Sequence, residues 1–162
     1  MELTSYLRIQ ARANRLSNHR LHAAMAPLSR AEFHAPRVGF FPSLAQTLNH
    51  ILLVDLYYIG ALHREAGTRA ALLGFEPYDD LATLARRQAA SDERLVAWCD
   101  ALDDAQLDAV VEMEREDHVQ RDRAGHVLAH LFNHQTHHRG QAHAMLSSTA
   151  IKPPQLDEFM MP

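Results

Sequence analysis

The sequence predicts an all-α fold, a four-helix bundle formed by a single domain. Two patterns lead to this prediction: apolar residues recur every three to four positions in four long segments, and proline- or glycine-containing breaks separate those segments. The length agrees with it, because 162 residues suit one domain that buries its own core. The sequence contains no internal repeat and no low-complexity segment.

The first two predicted helices flank a break that is bracketed by prolines. The first helix is predicted over residues 4–25, and an irregular stretch follows over residues 27–36. The second helix is predicted over residues 43–67, with Ser43 as its start signal and Gly67 as its stop. Apolar residues cover this second helix nearly all round, which predicts that it is mostly buried.

The second half of the chain carries two further helices. The third is predicted from Tyr78 or Asp79 to Ala101, and the fourth over residues 121–148. Between them, residues 103–120 are acidic and less regular, and residues 109–113 are predicted to be extended. The tail contains two consecutive prolines, which prevent helix continuation. We expect the tail to pack across the bundle because burial favours its apolar residues, namely Leu156, Phe159, Met160 and Met161.

Charge and cysteine content limit the partners and the compartment. The formal net charge is −4 and both signs are mixed along the chain, which argues against a nucleic-acid partner. No apolar run approaches the ~18–20 residues that span a bilayer, so we expect no membrane partner. Cys99 is the only cysteine and no secretory leader precedes the first helix, so we expect a cytoplasmic protein.

Histidines are concentrated on the predicted fourth helix. Of 12 histidines in the chain, six lie between His126 and His143. His126, His130, His134 and His138 follow one another at steps of four residues, and residues four apart are neighbours on a helix surface. Two imidazoles in this arrangement can share a metal ion, as in helical zinc motifs. The stretch therefore predicts a metal site on a helical scaffold.

A helical wheel selects three of the histidines as candidate ligands. His138 falls inside the apolar stripe of the fourth helix and His134 falls on its edge, whereas His130 drifts away from it. The buried second helix supplies His50 as a third ligand. Three histidines with an open coordination position are typical of catalytic rather than structural sites. Neutral nitrogen donors suit zinc, nickel, iron(II) or copper alike, so the spacing does not select the metal.

Several polar residues near this stretch have two interpretations each. Gln135 and Gln141 either orient the metal ligands and a bound water or form bundle-surface hydrogen bonds. Arg139 is interpreted as an ion-pair partner of a helix carboxylate, with binding of an anionic substrate as the alternative. Asp55 is expected to be a salt-bridge partner rather than a ligand, and His130 is an alternative extra ligand.

Motifs on several segments resemble the DinB family of damage-inducible bacterial proteins. The stretch Asn-His-Gln-Thr-His-His-Arg-Gly-Gln, residues 133–141, is similar to the fourth-helix signature of that family. Thr-Leu-Asn-His at residues 47–50, followed by Asp55, resembles its second-helix motif. Shorter likenesses are Ala13-Asn14 on the first helix and Leu-Asp-Glu at residues 156–158. Tyr57-Tyr58 departs from the family, which often has a tryptophan soon after the aspartate.

The resemblance implies a four-helix bundle with one long crossover, often as a homodimer. It also implies one divalent metal ion held by His50, His134 and His138. We expect zinc or nickel, with iron, manganese or copper as alternatives. Some relatives are S-transferases that use low-molecular-weight thiols, which would make a small molecule the partner.

Two functions remain open from the sequence. The first is a metal-dependent transferase or hydrolase in which the ion activates a small thiol or water. The alternative is a non-catalytic metal-binding protein of the stress response, in which the ion serves sensing, storage or stability.

Overall fold

The described part of the protein is mostly helical and contains one small β-hairpin. The computed structural model describes residues 1–157. The elements of this part, in chain order, are α1 (Leu3–Met25), α2 (Arg30–His34), α3 (Leu44–Leu62), α4 (Thr68–Leu73), α5 (Leu81–Asp100), α6 (Asp104–Asp108), β1 (Val110–Glu114), β2 (Val119–Arg123) and α7 (Ala124–Leu146). The hairpin corrects the all-α prediction, because two strands accompany the helices.

The four long helices pack on one another in a closed cycle. Helix α1 contacts α5 and α7, and α3 contacts the same two helices. Their apolar faces form two buried clusters, one around Leu95 and Leu128 and the other around Leu52 and Leu84. The pairing of α3 with α7 places the predicted second and fourth helices side by side, which positions the histidines.

The predicted second helix is shorter than expected at its C-terminal end. Ser43 is its N-cap, as predicted, and its hydroxyl accepts a hydrogen bond from the Gln46 backbone N–H. The helix ends at Leu62 rather than at Gly67, because Arg64 adopts a left-handed conformation with φ 57°. Gly67, with φ 74°, then begins the short helix α4.

Two short helices replace stretches that were predicted to be irregular. Ser29 and Glu32 form a capping box that starts α2 within residues 27–36. Asp103 and Gln106 form a second capping box that starts α6 within the acidic stretch. In both places the capping pattern is present in the sequence. The flanking prolines in the first stretch and the many acidic residues in the second led to a prediction of irregular structure instead. Helix α5 begins at Leu81, two or three residues later than predicted, with Asp80 as its N-cap.

The β-hairpin occupies the connection between α5 and α7. The extended piece predicted at residues 109–113 is confirmed as β1, which pairs antiparallel with β2 so that Val111 faces Asp122. Val111 and Met113 point into the core. The prediction that the fourth helix starts at residue 121 is wrong, because residues 121–123 belong to β2 and α7 starts at Ala124.

The described part of the tail lies against α1 and α7. Leu156 packs on the cluster around Leu52, and its backbone carbonyl accepts a hydrogen bond from the Ser17 hydroxyl at 2.8 Å. The His143 ring contacts the Pro154 carbonyl at 3.0 Å. The remaining apolar tail residues that were predicted to pack, Phe159, Met160 and Met161, lie outside the described residues. No helix in the described part is both long and apolar enough to cross a membrane.

Candidate metal centre

Three histidines from two helices come together where α3 packs on α7. His50 lies in the second turn of α3, and His134 and His138 lie one turn apart on α7. Each ring offers one nitrogen to a group in which all three nitrogens lie within 4.8 Å of one another. The three residues selected from the sequence are therefore neighbours in space.

The nitrogen positions suit a small divalent ion. His50 Nε2 and His134 Nε2 face each other at 2.9 Å. Tetrahedral zinc, with Zn–N bonds of about 2.0–2.1 Å, holds its nitrogens roughly 3.3 Å apart. The measured spacing of 2.9 Å is close to that value and every spacing in the group is within 4.8 Å, so a modest movement of the rings would accommodate the ion. The three neutral donors fit a divalent transition metal.

Gln141 fixes the orientation of one candidate ligand. Its Oε1 lies 2.8 Å from His138 Nδ1, and because an amide oxygen only accepts, Nδ1 is the protonated nitrogen. The Nε2 lone pair of His138 is therefore free for a metal. The Gln141 amide Nε2 lies 3.0 Å from Nε2 of the exposed His137. Of the two interpretations of Gln141, orientation of a ligand ring is the one that the contacts favour.

Burial keeps the three rings neutral. Burial, with smaller effects of the neighbouring histidines, His138 first, lowers the pKa of His134 to about 3. Burial, with a smaller effect of His138, lowers the pKa of His50 to about 4. The pKa of His138 is also lowered by burial, although its hydrogen bond to Gln141 opposes the shift. Metal ligation requires neutral imidazole, so the site is prepared for an ion at neutral pH.

Aromatic side chains and a cavity border the three histidines. The Phe41 ring lies 4.5 Å from the His50 ring and 5.5 Å from the His138 ring, and the exposed Phe40 lies 6.2 Å from His138. A cavity of about 430 Å³ adjoins the site and shares His50 and Phe41 as wall residues. Its other large apolar wall residues are Leu53, Phe75, Pro77 and Tyr78. The volume falls within the range of small-molecule sites.

His130 lies outside the three-histidine group but next to it. Its ring centroid is 6.0 Å from that of His134 and 4.8 Å from that of Tyr58. His130 is exposed, as the wheel predicted, and the group of candidate ligands within residues 1–157 does not include it.

A buried polar network lies behind the histidines and was not predicted. Gln135 is fully buried and its amide donates to Asp55, which also accepts from Gln88 at 2.7 Å. Arg139 donates to Asn14 at 2.6 Å and to Asn18 at 3.0 Å. Neither Asp55 nor Arg139 forms the salt bridge expected from the sequence among the described residues. Instead, amide side chains mediate between the carboxylates and the guanidinium.

This network brings together all four long helices. Asn18 donates to both carboxylate oxygens of Asp92, at 2.9 and 3.2 Å, and Gln88 donates to one of them at 3.2 Å. Burial raises the pKa of Asp92 to about 7 and raises that of Asp55 well above its usual range. A buried asparagine or glutamine has no distinctive spacing, so these contacts left no signal in the sequence.

Cys99 takes no part in the site. It is fully buried on α5 within the core cluster around Leu95. Burial, with a smaller effect of Asp100, raises the pKa of its thiol to about 12. In this environment Cys99 packs as a small apolar side chain rather than reacting as a thiolate.

Comparison with known proteins identifies the family. The DinB family model matches residues 6–162. Among solved structures, the chain is similar to a DinB-like protein from Bacillus cereus ATCC 10987, with a TM-score of 0.65, 16% identity, and coverage of 88% of this chain and 89% of that one. At this identity the likeness supports the fold alone. No curated protein sequence matched the chain. The family match spans nearly the whole sequence, and the chain belongs to the DinB family.

Proposed function

We propose that His50, His134 and His138 bind one divalent metal ion and that this centre is catalytic, activating a small thiol or a water molecule. The observation that carries the proposal is the convergence of three neutral ring nitrogens within 4.8 Å of one another. We expect zinc or nickel, with iron, manganese or copper as alternatives. The partner would be a small molecule, and a low-molecular-weight thiol in an S-transfer reaction is the first candidate.

The residues around the three histidines have distinct roles in this proposal. A bound divalent ion would lower the pKa of a coordinated thiol or water and so supply a nucleophile near neutral pH. By accepting the Nδ1 proton of His138, Gln141 would keep the Nε2 lone pair of that ring available to the ion. Phe40 and Phe41 shield one side of the rings from water, and the cavity beside His50 provides room for the apolar part of a substrate.

The ring nitrogens at the site support ion binding. His134 Nε2 faces His50 Nε2 at 2.9 Å, and the contact with Gln141 leaves His138 Nε2 with a free lone pair. Without an ion, the first two nitrogens form a hydrogen bond in which one of them carries the proton. An ion would use all three lone pairs at once, which favours ligation over a purely structural pair of core histidines.

We also infer that the four long helices form one four-helix bundle domain with a long crossover, and that the chain forms a homodimer. The closed cycle of contacts among the long helices supports the bundle. Leu3, Tyr6 and Ile9 are exposed along one side of α1, where an apolar patch suits contact with a second copy. Analytical ultracentrifugation of the wild type and of a Tyr6→Glu variant tests the dimer.

Elemental analysis of untagged protein, purified without chelators, tests the metal centre. We expect about one divalent ion per chain in the wild type and loss of the ion in His50→Ala, His134→Ala and His138→Ala. The matched control is His126→Ala, because His126 lies in the same four-residue series but is exposed and bonded to Asp122 at 2.7 Å. This control should retain the metal.

Two outcomes of this experiment separate the functions. A wild type that folds without metal and does not take up added zinc or nickel would overturn the site and the enzymatic proposal together. A metal-loaded protein whose three ligands are joined by a fourth protein ligand, as measured by X-ray absorption, would favour sensing, storage or stability. Three histidines and an exchangeable light-atom ligand would favour catalysis.

A further inference from the structure

A row of side chains leads from the three histidines to the turn of the β-hairpin. The ring centroid of His130 lies 6.0 Å from that of His134 and 4.8 Å from that of Tyr58. The Tyr58 hydroxyl accepts a hydrogen bond from Arg115 Nη2 at 3.1 Å. Arg115 therefore lies three side-chain contacts from a candidate metal ligand.

Among residues 1–157, the groups that hold the Arg115 side chain in place are neutral. Its Nε donates to Gln120 at 2.9 Å, and its guanidinium carbon lies 5.3 Å from the Tyr57 ring centroid and 5.6 Å from that of Tyr58. These ring contacts are within the range of cation–π attraction. Tyr57 is itself fixed, because its hydroxyl donates to the Glu114 carbonyl at 2.6 Å. The guanidinium is thus oriented before any ligand arrives.

The absence of an acidic partner distinguishes Arg115 from many of the other arginines. Within residues 1–157, Arg115 forms no ion pair, although it is half-buried. Arg121 on the same hairpin pairs with Glu112 at 2.8 Å. Five further arginines also pair with carboxylates, namely Arg12, Arg15, Arg30, Arg94 and Arg123. A fixed guanidinium with unused donors is suited to a carboxylate or phosphate.

We propose that Arg115 binds an acidic group of the substrate, a carboxylate or a phosphate, while the other end of that substrate reaches the metal centre. The Tyr58 hydroxyl accepts from Arg115, so its own proton remains available as a second donor to the anion. His130, with its ring centroid 6.0 Å from that of His134 and 4.8 Å from that of Tyr58, lies between the two proposed binding points. This inference rests on the proposed metal centre and adds to it the charge of the substrate.

Calorimetry with zinc-loaded protein tests the proposal through binding rather than turnover. The probes are mercaptopropionate, mercaptohexanoate and mercaptooctanoate, each beside the uncharged mercaptoalcohol of the same length. The thiol end binds the metal in every probe, and the other end differs only in charge. At the length that spans the row, we expect the acid to bind about 10- to 100-fold more tightly than the alcohol, as a charge-assisted hydrogen bond provides.

Variants on the hairpin assign the preference to Arg115. Arg115→Gln should remove the preference for the acid and leave the affinity for the alcohol and the zinc content unchanged. Arg115→Lys should keep part of the preference, because it retains the charge but not the planar fork. Arg121→Gln is the matched control and should behave as the wild type does, since Arg121 is exposed and paired with Glu112.

The results distinguish failure of this proposal from failure of the metal centre. Equal affinities for acid and alcohol at every length in the wild type would overturn the role of Arg115 without any variant, while measured zinc binding would leave the metal centre standing. Equal weakening of both probes by Arg115→Gln would also overturn it, because Arg115 would then act on the fold. A wild type that binds no zinc would overturn both.

Discussion

Gln141 is the residue that connects the candidate metal centre to the solvent-facing side of α7. It lies between His138, whose proton it accepts, and the exposed His137. Outer partners of this kind orient a ligand ring and raise its basicity, and their loss commonly lowers metal affinity about 10- to 100-fold. The role of Gln141 is therefore measurable separately from the ligands themselves.

Replacing Gln141 tests this role. Gln141→Leu should weaken zinc binding by about 10- to 100-fold, because His138 loses the acceptor that holds its Nδ1 proton. Gln141→Glu keeps an acceptor and should remain close to the wild type. The affinities can be measured by competition with a chromogenic chelator.

Thr136→Ala is the control for Gln141, because Thr136 is exposed on the same helix. It should not change the zinc affinity. Unchanged affinity in Gln141→Leu would show that other contacts orient His138.

The candidate ligands were predictable from the sequence because helix geometry is local. Residues four apart on one helix must be neighbours, so His134 and His138 followed directly from spacing. His50 followed from the burial of its helix. The approach of Arg115 to Tyr58 was not predictable, because it depends on how the hairpin folds back onto α3. No local pattern records a contact between residues 57 positions apart.

At the scale of the elements, helix α3 is the support for both His50 and the hairpin contacts. Its start is defined by Ser43, whose hydroxyl accepts from the Gln46 N–H at 3.2 Å. Ser43 is buried, so water cannot replace that acceptor without rearrangement. The stability of the helix start and the geometry of the site are therefore linked.

Removing the cap of α3 should destabilise the protein. Ser43→Ala should lower the free energy of unfolding by about 1 kcal/mol, since an N-cap hydroxyl contributes about 0.5–2 kcal/mol. Ser43→Gly is the comparison, because glycine at an N-cap lowers the free energy of unfolding by only about a few tenths of a kcal/mol relative to a capping residue. Urea denaturation of the metal-free protein measures both. Equal stability of Ser43→Ala and the wild type would show that the helix start does not depend on this cap.

The long helices were predictable because their apolar period is regular, whereas their ends depended on single residues. Arg64 ends α3 through a left-handed backbone that no sequence rule demands of arginine. Strand β2 is polar and largely exposed, so it carries no apolar alternation, and its last three residues were assigned to the following helix. Pairing with β1 makes it a strand.

At the scale of the whole molecule, the buried polar network joins the four long helices across their centre. Two carboxylates, Asp55 and Asp92, share it with one guanidinium, that of Arg139. Buried polar atoms without a hydrogen-bond partner lower the free energy of unfolding. Within residues 1–157, two atoms of this network, Asp55 Oδ1 and Gln88 Oε1, have no such partner.

The stability of the protein should carry a pH signature of Asp92. Its pKa is about 7 in the folded protein, chiefly through burial, against 3.8 as its ordinary value. Between these values only the folded state holds the proton, so Asp92 makes the protein less stable as pH rises, by about 1.4 kcal/mol per pH unit at most. Above pH 7, Asp92 is ionised in both states and its effect on the free energy of unfolding no longer changes with pH.

Asp92→Asn isolates this effect. Because the variant does not titrate at this position, the stability of the wild type relative to the variant should fall by about 2–3 kcal/mol between pH 5 and pH 8. Urea denaturation of metal-free protein at both values measures it, and the histidine contributions cancel in the difference. Asp100→Asn, on the exposed side of the same helix, is the control. Parallel pH profiles for the wild type and Asp92→Asn would contradict the assignment.

The sealed position of Cys99 has a consequence for how a thiol reaction on this protein can be followed. The chain has a single sulfhydryl, and it is enclosed in the core and protonated throughout the neutral range. The folded protein therefore offers no competing thiol to an electrophile or to a disulfide reagent. Any thiol consumed in a mixture of protein and substrates can be counted as substrate alone, with no background from the protein.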